Sequence, residues 1–323
     1  MVEVGDLLLA MYGATSGDIA VSKIKGAINQ AILCIRTKQN KKFIESVWNK
    51  HVSKNLRKYL QGGQGNLSAD IVKGISFSFP TLKEQEKIAN FVFLLDERIA
   101  TQSKIIDKLQ SLIKGLEDNL LDNPLWKKTY LRSFMQFFST NSLSWEQLSY
   151  EEGEIRNLHY GLIHGFQTRG INSASLPMIK NEAMPKQYTL CQVGDVAFAD
   201  ASEDTGEIAK SVEFVDTIEG DTVCGLHTIH GRDIKDRTVV GFKGFAFNSR
   251  YFHNQIKRLA QGTKVFSITA NNLSSCYVYL PDLETQKAIV KLLKTYEAKL
   301  LVSKRLLEHY EKQKQHLLRQ MFI

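Results

Sequence analysis

One short phrase that occurs twice constrains the fold of this 323-residue chain more than any other feature. Residues 79–89 read FPTLKEQEKIA and residues 280–290 read LPDLETQKAIV, so that a Pro, a Leu, a Gln and an Ile recur 201 positions later. Upstream, VGDLLLAMYGATSGDIA at 4–20 aligns without gaps to VGDVAFADASEDTGEIA at 193–209, at an offset of 189. Internal repetition indicates duplicated structural units. We therefore predict two related units, the second with about a dozen extra residues in its middle.

A long heptad pattern follows each copy of the phrase. Starting from Ile88, nine of ten a and d positions are apolar, and eight of the ten equivalent positions are apolar or aromatic in the second copy. This pattern predicts two long helices that pair with each other; a helix lying on a globular core is the alternative. Gln102 and Ser303 are polar members of the pattern, of the kind that fixes helix register. The expected helix-pair interface consists of Ile88, Val92, Leu95, Ile99, Ile106, Leu109, Ile289, Leu293, Tyr296, Leu300, Leu307 and Tyr310.

Each phrase also predicts where its helix begins. Pro80 and Pro281 end strand-like runs, so that Thr81 or Asp282 can serve as the N-cap. Glu84 stands at capping-box spacing from Thr81. A helix of roughly 40 residues is about 60 Å long, which exceeds one turn of duplex DNA at about 34–36 Å. We expect such a helix to act as a stiff spacer.

The segments before the helices predict globular heads of mixed strands and helices. Residues 75–79 (ISFSF) and 275–280 (SCYVYL) have the alternation and composition of strands. Residues 42–61 and 247–262 are typical of helices, and both end in a basic turn and a Gln-Gly pair. Roughly sixty residues precede the Val-Gly-Asp element of the second head, but only three precede it in the first; we therefore expect the front of the first head to be missing. The expected segments are a partial first head at 1–80, a first long helix at 81–121, a complete second head at 122–281 and a second long helix at 282–323.

Composition alone leaves the class of partner open. The net charge of +8 fits either an ordinary basic surface or an electrostatic footprint for nucleic acid. No apolar stretch is long enough for a membrane span and no secretion signal stands at the N-terminus, so we expect a cytoplasmic protein. The four cysteines are far apart in sequence and form no CxxC pair. We take this as typical of reduced thiols and as evidence against a structural zinc site.

No catalytic motif is complete. Residues 122–126 (DNPLW) have the outline of an amino-methyltransferase motif, but Leu125 replaces its second proline, and we interpret the stretch as a linker. Residues 281–287 outline a nuclease pattern whose Glu and Lys are three apart rather than two, and there is no GxxxxGK phosphate loop. We therefore predict no catalytic residue, no metal and no cofactor. Three histidines without metal-ligand spacing are expected on the surface or in a groove: His227, His230 and His253.

Taken together, these features resemble the specificity subunit of type I restriction–modification enzymes. The resemblance is carried by a Gly-Asn-Leu-Ser loop, a strand that ends in Pro and a Leu-x-x-Gln helix start, the last two given twice. The first copy reads GGQGNLSADIVKGISFSFPTLKEQEKIA. The second copy, QGTKVFSITANNLSSCYVYLPDLETQKAIV, departs at the loop and has Thr285 where the first has Glu84.

The resemblance implies a fold, a function and partners. The fold class is α+β, with two repeated target recognition domains of mixed strands and short helices, each followed by a long helix, and with the two long helices forming an antiparallel coiled-coil spacer. Each domain would read one half of a split double-stranded DNA target. The helices would help to dock two methyltransferase subunits, restriction subunits would join through the complex, and catalysis would belong to these partners. The missing front leaves two alternatives open, namely a silent copy without independent activity and a self-dimer that presents two complete second heads.

Within such heads, Lys and Arg side chains hold the DNA backbone while other side chains read base edges. The repeated basic turn beside each Gln-Gly pair is the expected phosphate-facing edge. The expected DNA-binding residues are Arg169, Lys180, Lys186, Arg232, Lys235, Arg250, Lys257, Arg258 and Lys264 in the second unit and Lys54, Arg57 and Lys58 in the first.

Overall fold

The computed structural model describes residues 1–59, 67–166, 168–216 and 220–321, with the backbone alone in 53–59. The chain divides into two compact units, Met1–Ile106 with Ser303–Ile323, and Asp107–Val302. This division differs from the four consecutive segments expected from the sequence, because each unit includes part of both long helices. No helix within the described ranges combines the length and apolarity that a membrane span requires.

The first unit is a three-stranded antiparallel sheet covered by helices. Its elements are β1 (Leu7–Ala10), β2 (Ile19–Val21), β3 (Ile32–Ile35), α1 (Lys41–Tyr59), α2 (Ala69–Gly74) and the first part of α3 (Leu82–Leu121). β1 lies between β2 and β3. Leu7 and Leu9 alternate with outward residues along β1, and both are fully buried against Trp48 and Leu67. The core of this unit therefore lies between the sheet and α1.

The second unit is larger and contains several sheets. Its strands are β4 (Lys127–Tyr130), β5 (Met135–Phe138), β6 (Leu148–Ser149), β7 (Arg156–Leu158), β8 (Gly170–Ile171), β9 (Met178–Ile179), β10 (Val196–Ala199), β11 (Ala201–Ser202), β12 (Ser211–Phe214), β13 (Thr222–Cys224), β14 (Thr228–Asp233), β15 (Phe266–Ser267) and β16 (Tyr277–Leu280). Its helices are α4 (Tyr160–Gly165), α5 (Phe242–Ala246), α6 (Arg250–Leu259), α7 (Ala270–Ser275) and the first part of α8 (Leu283–Met321). The sheets have the orders β5-β14-β10-β12-β8, β13-β7-β9-β6, β11-β15 and β16-β4. Phe198, Phe242 and Phe252 are fully buried in its main core.

The predicted repeat is present in both units, although its alignment differs in detail. α2 and α7 lie 201 residues apart, as expected, and Ser68 and Thr269 cap them through the same hydrogen bond to a backbone N–H. The gapless alignment of 4–20 with 193–209 is wrong beyond the first strand. Leu9 pairs with Ile19 ten residues later, whereas Phe198 pairs with Ser211 thirteen residues later. The hairpin of the second unit is therefore three residues longer.

The helix at 42–61 expected from the sequence is the single helix α1, but its counterpart at 247–262 is shorter. There Ser249 accepts a hydrogen bond from the N–H of Phe252 and starts α6 at Arg250, and α5 precedes it as a separate helix.

The strand expected at 75–79 does not form. In the second unit the equivalent stretch is β16, which pairs with β4. Among the described residues, none pairs as a strand with 75–79. The prediction was wrong because a strand requires a partner as well as a β-like sequence.

The long helices begin where the sequence predicts. Thr81 and Glu84 form the expected capping box, in which the Thr81 N–H donates to Glu84 Oε2 and the Glu84 N–H donates to Thr81 Oγ1. At the second helix the N–H of Thr285 donates to Asp282 Oδ1 at 2.9 Å. Every member of the predicted heptad pattern is buried or half-buried.

The heptad face packs partly on the heads and partly on the other long helix. In the first unit Ala89 packs against Phe43 and Val47 of α1. Further along, Gln102 Nε2 donates to the backbone oxygen of Ser303 at 3.1 Å, so the two polar members meet. Arg98 lies over the Tyr310 ring and Asp96 pairs with Lys314; in this unit the two helices are antiparallel.

Candidate nucleic-acid interface

The glutamine of each repeated phrase ties its long helix to its head. Gln85 is fully buried; its side-chain nitrogen donates to the Pro80 oxygen at 2.8 Å and its oxygen accepts from the N–H of Asn40, just before α1. Gln286 is equally buried and repeats the arrangement with the Pro281 oxygen and the N–H of Val239, just before α5. Because one amide can donate and accept at once, each glutamine links the proline before its long helix, the helix start and the head.

A second repeated feature is an aspartate that follows a turn glycine. In both turns the glycine has a positive φ, 89° at Gly5 and 90° at Gly194, which favours glycine there. Asp6 accepts from the backbone N–H of Glu3 at 2.9 Å, and Asp195 accepts from that of Gln192 at 2.8 Å.

Each of these aspartates also binds an arginine: Arg36 directly follows β3, and Arg232 lies near the end of β14. Arg36 donates to Asp6 and to the Met1 oxygen, and Arg232 donates to both oxygens of Asp195 and to the Leu190 oxygen. We call each pair an Asp–Arg module. In both units the hydrogen bonds of the module connect the turn before the central strand to the end of a neighbouring strand.

The electrostatics of the two modules differ with burial. The N–H of Glu3, followed by Arg36, lowers the pKa of Asp6 to about 2. Burial alone would raise the pKa of Asp195, but hydrogen bonds from Arg232 and His230 outweigh it and lower that pKa. Arg232, expected to bind DNA, has its guanidinium engaged by this buried carboxylate.

Three of the expected DNA-binding residues line one cleft of the second unit. Arg169, Arg250 and Lys257 lie around a space of about 710 Å³. The same cleft carries further charges of both signs, from Lys114, Lys210, Glu117, Asp118 and Glu207.

The acids of this cleft form ion pairs with two of its five basic side chains. Glu207 pairs with Lys210 at 2.9 Å, and Arg250 lies 4.0 Å from Asp118. Burial raises the pKa of Glu117 to about 7, with Arg169 opposing and Glu297 reinforcing the shift. A cleft of such mixed charge is a weak site for a polyanion.

A different surface of the second unit carries five basic side chains with Asp236 and Asp282 beside them, and only one of the five was expected from the sequence. Five exposed basic side chains lie on and beside the β4·β16 ribbon, and none of them forms an ion pair with a residue that the structure describes. We call this set the basic ribbon; it consists of Lys127, Lys128, Arg132, Lys235 and Arg237. Four of its members line a cleft beside Pro281, at the second repeated phrase.

Tyrosines accompany the basic ribbon. Lys128 Nζ lies 3.9 Å from the centroid of the Tyr277 ring, and Arg132 lies 4.8 Å from that of Tyr130. Tyr277 pairs with Tyr130 across the two strands and contacts Tyr251 of α6. Basic and aromatic side chains on one surface are typical of nucleic-acid contacts. The adjacent Lys127 and Lys128, with tyrosines at alternate positions of 275–280, were the available sequence signal.

The other expected DNA-binding residues are scattered over the second unit. Lys186, Arg258 and Lys264 are exposed, and Lys180 is half-buried beside a short 3₁₀ turn. Lys264 lies in the loop that follows Gly262, whose φ of 124° requires glycine. In the first unit Lys54, Arg57 and Lys58 fall in α1, but their side chains and the Gln61-Gly62 pair lie outside the described residues.

The three histidines expected on the surface or in a groove differ in exposure, and one of them is buried. His227 is exposed and pairs with Asp200, and His253 is half-buried. His230 is only 1% exposed, and its Nε2 lies 2.7 Å from Asp195 Oδ2. The prediction was wrong for His230 because it lies on the inward face of β14.

Comparison with known proteins identifies a family and a fold. The sequence profile described as "Type I restriction modification DNA specificity domain" matches residues 2–111 and 229–311, more than half of the chain. The chain is 22% identical to the type I restriction enzyme MjaVIII specificity subunit of Methanocaldococcus jannaschii, over 98% of this chain and 78% of that protein. It is 24% identical to the putative MjaX specificity subunit of the same organism, over 82% of this chain and 63% of that protein.

Solved structures show the same fold. The crystal structure of the S subunit of a type I restriction–modification system from M. genitalium matches with a TM-score of 0.60 at 15% identity, over 99% of this chain and 83% of that one. A chain from a study of complex assembly and conformational transition of the type I system matches with a TM-score of 0.61 at 15% identity, over 99% and 82%. The predicted α+β class with two long helices is confirmed.

Proposed function

We propose that this chain, which belongs to the family of type I restriction–modification DNA specificity domains, is the non-catalytic subunit that selects the DNA sequence for a multisubunit restriction–modification complex. One observation carries the proposal. Both units contain the same buried glutamine at the start of a long helix and the same Asp–Arg module in the head. Two heads built on one plan suit a DNA target in two parts, each head reading one half.

In this proposal the long helices also carry the methyltransferase subunits. Several large apolar side chains on the helices point away from the heptad face and are exposed. Exposed apolar patches mark protein-docking surfaces. Those with the largest exposure are Leu94 (65%), Val302 (62%), Leu82 (58%) and Leu283 (45%). Methylation and cleavage would then belong to the partner subunits, and two methyltransferase copies would fit two helices.

We place the phosphate contacts of the second unit on the basic ribbon rather than in the mixed-charge cleft. Its five basic side chains are exposed and form no ion pair with a described residue, so they can neutralise phosphates without first breaking a salt bridge. Each phosphate neutralised releases condensed counterions, which makes affinity fall with salt concentration.

The proposal is tested by co-expressing the chain with a type I methyltransferase subunit and mapping the methylated adenines in the host DNA. We expect a stable complex and a two-part methylated motif. Absence of both the complex and methylation would contradict the proposal. A dimeric mass with a palindromic motif would instead support the self-dimer, because two identical heads related by a two-fold axis read identical half-sites.

A matched pair of variants tests the basic ribbon. Lys128→Ala should weaken DNA binding by the complex about equally on all sequences and lower the salt slope by about one unit. Lys291→Ala, an exposed lysine on α8, removes the same charge outside the ribbon and should leave the slope unchanged. Equal effects of the two variants would show that the ribbon does not contact DNA.

A further inference from the structure

Two cysteines and a histidine that are distant in sequence meet in the core of the second unit. The Sγ atoms of Cys191 and Cys224 are 3.6 Å apart. These two atoms and a ring nitrogen of His230 all lie within 4.8 Å of one another. The three residues are 6%, 3% and 1% exposed. The spacing of these residues along the chain gave no indication of such a cluster.

One ring nitrogen of His230 contacts a carboxylate and the other lacks a partner among the described residues. Its Nε2 lies 2.7 Å from Asp195 Oδ2, and Arg232 binds the same carboxylate. Its Nδ1 is buried and has no hydrogen-bond partner within the described chain. Metal-bound histidines typically donate one ring N–H to a carboxylate while the other nitrogen binds the metal. A buried polar atom left unpaired destabilises the fold, so an ion at Nδ1 would remove that penalty.

We propose that Cys191, Cys224 and His230 bind one Zn²⁺ ion. Zinc–sulfur bonds of about 2.3 Å in tetrahedral geometry place two sulfurs about 3.8 Å apart, close to the distance observed. Thiolate and imidazole ligands suit zinc among the common divalent ions. Three protein ligands leave the fourth position of the tetrahedron to a water molecule or another small ligand.

The charges of such a site balance. Two thiolates neutralise Zn²⁺, and Arg232 neutralises Asp195. Because the cluster as a whole carries no net charge, burying it does not incur the large cost of an unpaired buried ion. The metal-bound form therefore places no net charge in the core.

The ion would join separate parts of the second unit. Cys224 ends β13 of the four-stranded sheet, His230 lies in β14 of the five-stranded sheet, and Cys191 precedes the turn of the Asp–Arg module. The first unit has Cys34 beside its aspartate where the second has His230. The repeat places Val2 opposite Cys191, so the cluster is peculiar to the second unit and one ion per chain is expected.

The test measures metal in the full-length chain purified without chelators. We expect about one equivalent of zinc by elemental analysis and, after exchange with Co²⁺, a thiolate-to-cobalt charge-transfer band. Cys191→Ser and Cys224→Ser should each weaken zinc binding by more than about 10-fold. Cys276→Ser is the matched control, because Cys276 is also buried, at 1% exposure, but lies outside the cluster.

The cobalt spectrum of the unsubstituted chain remains informative where a serine variant fails to fold. The proposal is overturned if the folded chain retains no zinc, gives no charge-transfer band and shows four free thiols. A disulfide between Cys191 and Cys224 in chain purified without oxygen, or loss of the metal in Cys276→Ser, would also overturn it. Retention of zinc with the band intact in Cys276→Ser supports it.

Discussion

The two units carry the same phrase in different surroundings. In the second unit β16 pairs with β4, and Leu280 at its end is only 8% exposed. In the first unit the equivalent Phe79 is 42% exposed and lies on an open groove of about 780 Å³ that Phe43 and Phe77 also line. The glutamine contacts are nevertheless the same in both. The comparison indicates that the glutamine hydrogen bonds form whether or not the preceding segment is paired in a sheet, whereas the strand itself requires a partner segment.

The Asp–Arg modules differ in burial rather than in pattern. The side chain of Arg232 is 22% exposed and contacts a carboxylate that is 1% exposed; the side chain of Arg36 is 62% exposed. If either Asp195 or Arg232 loses its charge, the remaining charged partner lies in a region with little access to water. The same hydrogen bonds therefore have different energetic consequences in the two units.

The largest predicted effect follows from that difference. Asp195→Asn leaves Arg232 and His230 without their carboxylate, and we expect it to lower the free energy of unfolding of the second unit by about 3–5 kcal/mol. Asp6→Asn should cost the first unit clearly less, because water can hydrate Arg36. Urea denaturation followed by hydrogen exchange in each unit measures both losses. Equal losses would refute the role we assign to burial.

The glutamines should respond alike. Gln85→Leu and Gln286→Leu each leave a backbone N–H and a proline carbonyl unpaired in the core, so we expect each to cost about 3 kcal/mol in its own unit. Gln313→Leu removes an exposed amide from α8 and serves as the control. A cost confined to one of the two units would show that the doubled phrase does not serve the same purpose twice.

The sequence predicted the features that depend on nearby residues. The starts of α3 and α8 follow from a proline and a capping residue within the same five residues, so they were correct to one residue. The heptad face followed from a single periodicity. Gln85 and Gln286 stood out because they recur at a fixed offset, although their partners Asn40 and Val239 were invisible in the sequence.

What the sequence missed depends on contacts between distant segments. Arg232 looked like any basic residue until the fold placed it against Asp195, 37 positions earlier. Cys191 and Cys224 are 33 positions apart and meet only because β13 and the turn at 191–195 converge. The basic ribbon needs β4 and β16, which are separated by most of the second unit, to lie side by side. Periodicity and motif spacing carry no information about such pairings.

A pH-dependent difference should separate the units further. Burial raises the folded-state pKa of Glu117 from the ordinary value of 4.5 to about 7, so the folded second unit binds a proton that the unfolded chain releases. The contribution of Glu117 to stability is therefore fully present below pH 4.5 and is lost as the pH rises through about 7. Burial raises the pKa of Glu297 as well, so Glu117→Gln should reduce this slope rather than abolish it, and should stabilise the unit by about 2 kcal/mol at pH 8.

The first unit provides the opposite sign as a control. The pKa of Asp6 is lowered to about 2, so its contribution is present above the ordinary value of 3.8 and is lost as the pH falls towards 2. Denaturation curves collected from acid to pH 8 on the Glu117→Gln variant should keep this acid-side loss. If the neutral-side slope also survives the substitution undiminished, Glu117 is not its source.

The smallest predicted effect compares the two helix caps. Thr81→Ala should cost about 1 kcal/mol at neutral pH; because the Thr81 hydroxyl donates to the Glu84 carboxylate and lowers its pKa, part of this cost should be lost in acid. Asp282 caps α8 with a carboxylate, and the hydrogen bond from the Thr285 N–H lowers its pKa. The effect of Asp282→Ala should therefore be present above pH 3.8 and fade as the pH falls through the lowered pKa. Unfolding midpoints of both variants at neutral and acidic pH measure these losses of stability. If the loss caused by Asp282→Ala stays constant down to low pH, the carboxylate charge does not stabilise the helix.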